Sequence, residues 1–239
     1  MIRILHLYHD IMNLYGDNGN IRFLEKALTD QKQEVEITRR TITDDLDNLN
    51  EYDIIYCGPS TEARRNACLK HLLPYKDLIR DAFDSDKVFL FTGNSYEMLG
   101  KEIKTDDGVI EGLGIFDFTV TEQSKTRYTS DVIVTCEEIK EKCVGFINKC
   151  SKVENNDHPL FKIIGHVGNI NAEYDGIHVR NFFGTQMIGP VLIKNPYFAR
   201  YFIKTVLKMK NVPVYKDIEY PHIMKAYNIT ITELSKDTK

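Results

Sequence analysis

The chain has 239 residues, 42% of them hydrophobic and 28% charged, with a formal net charge of −4 and an isoelectric point near 6.0. This suits a globular protein with a sizeable core; the missing basic excess excludes an electrostatic footprint for nucleic acid or an anionic membrane. No apolar run approaches a membrane span or a leader peptide, so a cytoplasmic location is expected.

Ile2 to Leu7 reads as a first strand, Leu14 to Asn20 as a polar turn, and Ile21, Leu24 and Leu28 as the buried stripe of a helix. Asp17, Asn18 and Asn20 are all suited to cap that helix, because short polar side chains accept the orphan N–H groups of a first turn. Glu34 to Thr38 alternates as a second strand, and Asp53 to Cys57 as a third, followed by Gly58-Pro59-Ser60. Thr61 to Phe83 is helical on both sides of Pro74, which divides it.

Lys87 to Gly100 is a buried apolar run that breaks at Gly93-Asn94-Ser95 into a helix-like segment. Strand, sharp turn, helix is the order that places a ligand or a nucleophile at the carboxyl end of a central strand. Glu111-Gly112-Leu113-Gly114 reads as a turn into a strand, and Phe116 to Thr121, Asp131 to Thr135 and Val144 to Asn148 as further strands. Asn195 and Pro196 form an N-cap and first-turn pair for a helix striped by Phe198, Phe202, Ile203, Val206 and Leu207. Val212 to Lys239 reads as a linker and a short final helix.

Five cysteines without a CxxC pair argue against a disulfide framework or a zinc site. Cys136, Cys143 and Cys150 recur at sevens with no histidine at ligand spacing, and read as small core or surface residues. No metal or cofactor is expected.

The elbow Gly93-Asn94-Ser95-Tyr96-Glu97-Met98-Leu99-Gly100 resembles class I glutamine amidotransferases of the cobyric acid synthase type, whose pattern is close to Cys-Gly-Gly-Tyr-Gln-x-Leu-Gly. The segment Leu7 to Ile21 is similar to the opening motif of the amidotransferase subunits of lipid II isoglutaminyl synthases, which amidate a peptidoglycan precursor. The resemblance implies a flavodoxin-like three-layer α/β fold, a mostly parallel mixed sheet with an antiparallel extension. It implies an amidotransferase-like domain over residues 1–210, with 211–239 as a linker and helix packed on the same domain.

On this alignment the nucleophilic cysteine falls on Gly93, and the histidine that takes its proton falls on Ile188, within Gly184 to Pro196. Lys149 stands where the Gly145 to Asn148 motif leads the family to a histidine. In the oxyanion loop Pro59 has no N–H to give, leaving Gly58. The resemblance places Gly58, Asn94, Ser95, Tyr96, Glu97, Asn148, Lys149 and Gln186 around a relict pocket for glutamine or a related amino acid. Lys149 and Lys152 are expected to bring positive charge near Glu97.

No substitute nucleophile stands out. Ser95 reads as a helix cap, Thr92 points into the sheet, and Cys57 ends a buried strand with nothing beside it to lower its pKa. A displaced His166 or His178 has no nucleophile to serve. The first expectation is therefore a glutaminase-deficient subunit of a Mur-ligase-like partner, with scaffolding or regulatory duty. The alternatives are a working subunit that supplies ammonia for cell-wall or cobyrinate amidation, and a stand-alone module that binds a small metabolite.

Overall fold

A computed structural model describes residues 1–213 and 215–238. The elements in chain order are β1 (Ile2–Leu7), α1 (Gly19–Asp30), β2 (Val35–Arg40), β3 (Ile54–Cys57), α2 (Glu62–Leu72), α3 (Lys76–Asp84), β4 (Val88–Thr92), β5 (Glu102–Thr105), β6 (Gly108–Glu111) and β7 (Thr119–Glu122). They continue with β8 (Tyr128–Thr135), β9 (Cys143–Lys149), β10 (Ser151–Glu154), β11 (Phe161–Gly168), β12 (Tyr174–Asp175), β13 (Ile177–Val179), β14 (Phe182–Thr185), β15 (Met187–Ile188), α4 (Val191–Lys194), α5 (Pro196–Met209) and α6 (Pro221–Asp237). A 3-10 turn carrying Pro74 separates α2 from α3, as the proline requires.

The central sheet has the order β13-β14-β4-β3-β1-β2, parallel except for the β13 edge. Its five parallel strands follow the 2-1-3-4-5 order of flavodoxin-like folds. Two smaller sheets, β10-β7-β5-β6 and β12-β11-β8-β9-β15, extend it and are antiparallel except for the parallel β5-β7 pair. The fold is therefore mixed α/β, with both faces of the central sheet covered.

Alternation along the strands divides the core. Ile2 and Ile4 of β1 pack with α1, α5 and the β8-β9-β11 sheet, while Leu5 and Leu7 pack with α2, α3 and the elbow after β4. In β4 all five residues are buried, because a parallel strand covered on both faces has no polar side.

Expected caps are absent at the starts of α1 and α5. Asn18 precedes α1 without a side-chain capping bond. Asn195 precedes α5, but its Oδ1 accepts from the Val144 N–H at 2.7 Å and its Nδ2 donates to the carbonyls of Val144 and Val191. A buried strand end competes for the same amide and wins, because an unsatisfied buried backbone group costs more than a solvated helix end. The final helix, expected to be short, runs 17 residues. Tyr227 is buried within it and donates its hydroxyl to the Lys142 carbonyl at 2.7 Å. Val214 and Lys239, part of the expected linker and terminal segment, lie outside the described residues.

Candidate functional site

The parallel strands β3, β4 and β14 end side by side, Cys57 opposite Phe91 and Thr185 opposite Thr92, so the loops leaving them share one crevice. Gly93, the first residue past β4, has a φ of +58°, a left-handed conformation that glycine adopts at no steric cost. It opens a 3-10 turn, Gly93–Leu99, instead of an α-helix. A Cβ built on Gly93 would lie 2.5 Å from the Pro59 Cβ and 2.9 Å from the Ile188 Cγ2. The positions that the resemblance assigns to nucleophile and base are thus neighbours, and Pro59 and Ile188 fill the space between them.

Asn94 locks the loop after β3. Its Oδ1 accepts the Ser60 N–H at 2.9 Å, and its Nδ2 donates to the Ser60 carbonyl at 2.9 Å. Ser60 Oγ donates to the Ile11 carbonyl at 2.8 Å. Gly58 is required by a close approach, since a Cβ there would sit 2.5 Å from the Met12 carbonyl oxygen. Ser95 is not a helix cap: its hydroxyl lies between the carbonyls of Cys57 and Thr92, at 2.9 and 2.8 Å, and shares its one proton with them. Cys57 is fully buried, and that burial holds its thiol well above the ordinary range, which makes it inert.

Glu97 is not met by Lys149 or Lys152. It is 1% exposed and forms an ion pair of 2.5 Å with Nη1 of Arg65, a residue that belongs to no motif in the sequence. Ser151 and Gln186 also donate to Glu97, the latter at 2.6 Å, and Arg65 pairs in addition with Glu122. Burial alone would lower the Arg65 pKa, but the two carboxylates outweigh it and raise it. The inward face of α2 reads Arg65, Cys68, Leu69, Leu72. An arginine in that helical register is the signal that a buried carboxylate awaits it.

The expected caps Asp17 and Asn20 form a second buried cluster. Asp17 Oδ2 accepts from the Tyr56 hydroxyl at 2.5 Å, from Thr92, and from Asn20 Nδ2 at 3.2 Å. Asn20 Oδ1 accepts the Leu192 N–H at 3.0 Å. The motif therefore ties the loop after β1 to β3, to β4 and to the start of α4. Burial raises the Asp17 pKa to about 6.

The crevice leaves a cavity of about 160 Å3 beside Pro59, Asn94 and Ile188. On its far wall Arg127 bonds Glu62 at 2.7 Å and Asn148 Oδ1 at 2.9 Å, and Asn148 Nδ2 donates to the Tyr15 hydroxyl at 2.6 Å. Cys150 also lines it, its thiol 3.2 Å from Glu62 and pushed up to about 12 by burial and by that carboxylate. Asn94, Glu97, Asn148 and Lys149 face this cavity; Gly58, Ser95, Tyr96 and Gln186 do not. Tyr96 and Lys152 line a neighbouring cavity of about 360 Å3, with Lys149 and Ser151 on the shared wall. His178 is bound to Glu138 at 2.8 Å and stacked on Phe183, and neither it nor His166 lines either cavity.

The sequence profile of the CobB/CobQ-like glutamine amidotransferase domain matches residues 3–196. The chain is 29% identical over 236 residues to a "Lipid II isoglutaminyl synthase (glutamine-hydrolyzing) subunit GatD" of Streptococcus pneumoniae, covering 95% of this chain and 90% of that protein. It is 28% identical to the subunit of the same name from Staphylococcus aureus, covering 100% and 98%. Among solved structures, a glutamine amidotransferase of Thermotoga maritima superposes with a TM-score of 0.55 at 14% identity, covering 98% of this chain and 92% of that one. PurLQS of the same organism gives 0.53 at 16% identity, covering 87% and 96%.

Proposed function

The chain belongs to the family of CobB/CobQ-like glutamine amidotransferases, and from that premise we propose that it is a glutaminase-deficient subunit that scaffolds or regulates a Mur-ligase-like partner amidating a peptidoglycan precursor. One observation carries the reading: Gly93 brings no nucleophile, Ile188 brings no base, and Pro59 and Ile188 occupy the room a nucleophilic side chain needs. Attack on a carboxamide requires an electron pair aimed at the carbonyl carbon, a base for the proton, and N–H donors for the oxyanion. Pro59 has no N–H, and the N–H of Ser60 is held by Asn94. Cys150, beside Glu62, stays protonated at neutral pH.

The similarity to named synthase subunits along nearly their whole length supports the subunit role. In this reading Asn94, Ser95, Glu97 and Gln186 hold the shape of the old pocket, while Asn148 and Lys149 stay on its wall. The test is co-purification of the tagged chain from its native cell, with the bound proteins identified by mass spectrometry and ammonia release from glutamine assayed on the recovered complex. A near-stoichiometric ligase-like partner with no ammonia release fits the proposal. Glutamine hydrolysis by this chain would overturn it.

The second reading, a subunit that still delivers ammonia, draws on the polar wall of Arg127, Glu62 and Asn148 that remains around the smaller cavity. It requires that amidation by the partner depend on glutamine and on this chain together. Equal rates with free ammonia and no chain would count against it.

A further inference from the structure

Helix α6 lies across β8, β9 and β11 with α4 beside it, yet it does not close onto them. Tyr227 is its buried anchor, donating its hydroxyl to the Lys142 carbonyl at 2.7 Å and meeting Tyr197 edge-to-face at 5.6 Å. On either side of that anchor Ile223 and Leu234 are only half-buried, and Ala226 is exposed. Between the helix and the layer below remains a cavity of about 360 Å3, with Ile223, Ala226, Tyr227 and Leu234 as its roof and Val144 and Ile193 as its floor. The volume falls among sites that hold small organic molecules, about 300 to 1,000 Å3.

The walls select the chemistry. Their side chains are mostly apolar, and the hydroxyls that reach the space are already used: Tyr227 donates to Lys142, and Thr230 donates to the Ala226 carbonyl at 2.9 Å. The floor backbone is committed as well, since the N–H and the carbonyl of Val144 are both bonded to the Asn195 amide. Water in such a space finds few partners, so exchanging it for an apolar solute is favourable. The ionisable groups, Asp131, Lys194 and His222, stand at the exposed rim. Asp131 and Lys194 are opposite in sign, and an ordinary histidine is neutral above about pH 7.5, so the rim then carries no net charge. The roof belongs to the same chain, so a helix or strand of another protein could enter only by displacing α6; the space suits a small molecule.

We propose that the cavity under α6 binds a small, neutral, predominantly apolar molecule, clasped between the helix and the layer of β8 and β9. The assignment is separate from the crevice at Gly93 and holds whether or not the chain hydrolyses glutamine.

The test is fluorescence titration of the full chain, at about pH 8, with N-phenyl-1-naphthylamine, a neutral dye that brightens in apolar surroundings. Saturable binding that is weakened at least about tenfold by Ala226→Trp, the scale of overpacking a filled site, and unchanged by Ile229→Ser supports the site. Ile229 is 54% exposed and lines an open recess on another side of the helix, so loss on Ile229→Ser alone would place the dye there and overturn the proposal. Equal binding by all three proteins, or no saturable binding, would overturn it too. Competition reads the charge: displacement by 1-octanol at lower concentration than by octanoate or octylamine supports a neutral ligand, and the reverse order overturns that assignment. Hydrogen exchange on the unaltered chain gives a readout that no misfolded variant can confuse. At ten times its displacement midpoint, 1-octanol should slow exchange of the α6 amides about tenfold relative to those of α2, and unchanged exchange in α6 would sink the site.

Discussion

Gly93 and Ile188 touch across the crevice: the Cβ that Gly93 lacks would fall 2.9 Å from the Ile188 Cγ2, with Pro59 closer still. Two residues 95 positions apart in sequence have become a mutually fitted pair. Each residue suits the presence of the other, since a glycine leaves room that an apolar side chain fills.

Introducing a thiol by Gly93→Cys is therefore expected to destabilise the fold by about 2–6 kcal/mol, the sum of about 1–3 for overpacking and about 1–3 for a non-glycine residue at positive φ. It should release no ammonia from glutamine. Urea unfolding together with a glutaminase assay checks both; an active, equally stable variant would contradict the packing argument. Adding Pro59→Gly and Ile188→His should recover stability relative to the single variant.

The Arg65–Glu97 pair is buried at both ends, so breaking one end leaves a charge in a dry site. Glu97→Gln is expected to cost about 3 kcal/mol, at the lower end of such losses, because Arg65 keeps Glu122. Replacing both, Arg65→Met with Glu97→Met, should cost less than the sum of the single changes. Chemical denaturation of the four proteins in the cycle measures the coupling, and additivity would show that the pair is not a unit.

Asp17 makes stability depend on pH with a definite sign. Its folded pKa, about 6, lies above the ordinary aspartate value of 3.8, so between those values the folded state binds the proton more tightly than the unfolded chain. Its contribution is most favourable below about pH 4 and is lost as pH rises through 6, by up to about 3 kcal/mol. Melting temperatures of the native protein and of Asp17→Asn, taken from pH 4.5 to 7.5, should diverge in that direction. Parallel curves would refute it.

Asn94 holds Ser60 through two reciprocal bonds. Asn94→Ala should cost about 1–3 kcal/mol, the range for stranding buried partners. It should also speed hydrogen exchange at the Ser60 amide more than at the strands of the central sheet. Unchanged exchange at that amide would show that the loop is held by Pro59 and the Ile11 contact alone.

The central strands, the break at Pro74 and the turn at Gly93 are legible in the chain itself, because strand burial, proline geometry and glycine conformation act over a few neighbouring residues. That Gly93 carries no thiol and Ile188 no imidazole is equally plain as an identity. The partners of polar side chains are not legible there. Asp17, Asn20 and Asn195 carry the local signature of helix caps, yet each is drawn to a buried group far along the chain. Glu97 takes Arg65 where the nearby lysines suggested themselves. A side chain with several acceptable partners takes the one whose isolation in the interior would cost most. Which group is isolated depends on how the layers close, and that is decided only when β3, β4 and β14 come to end in one crevice.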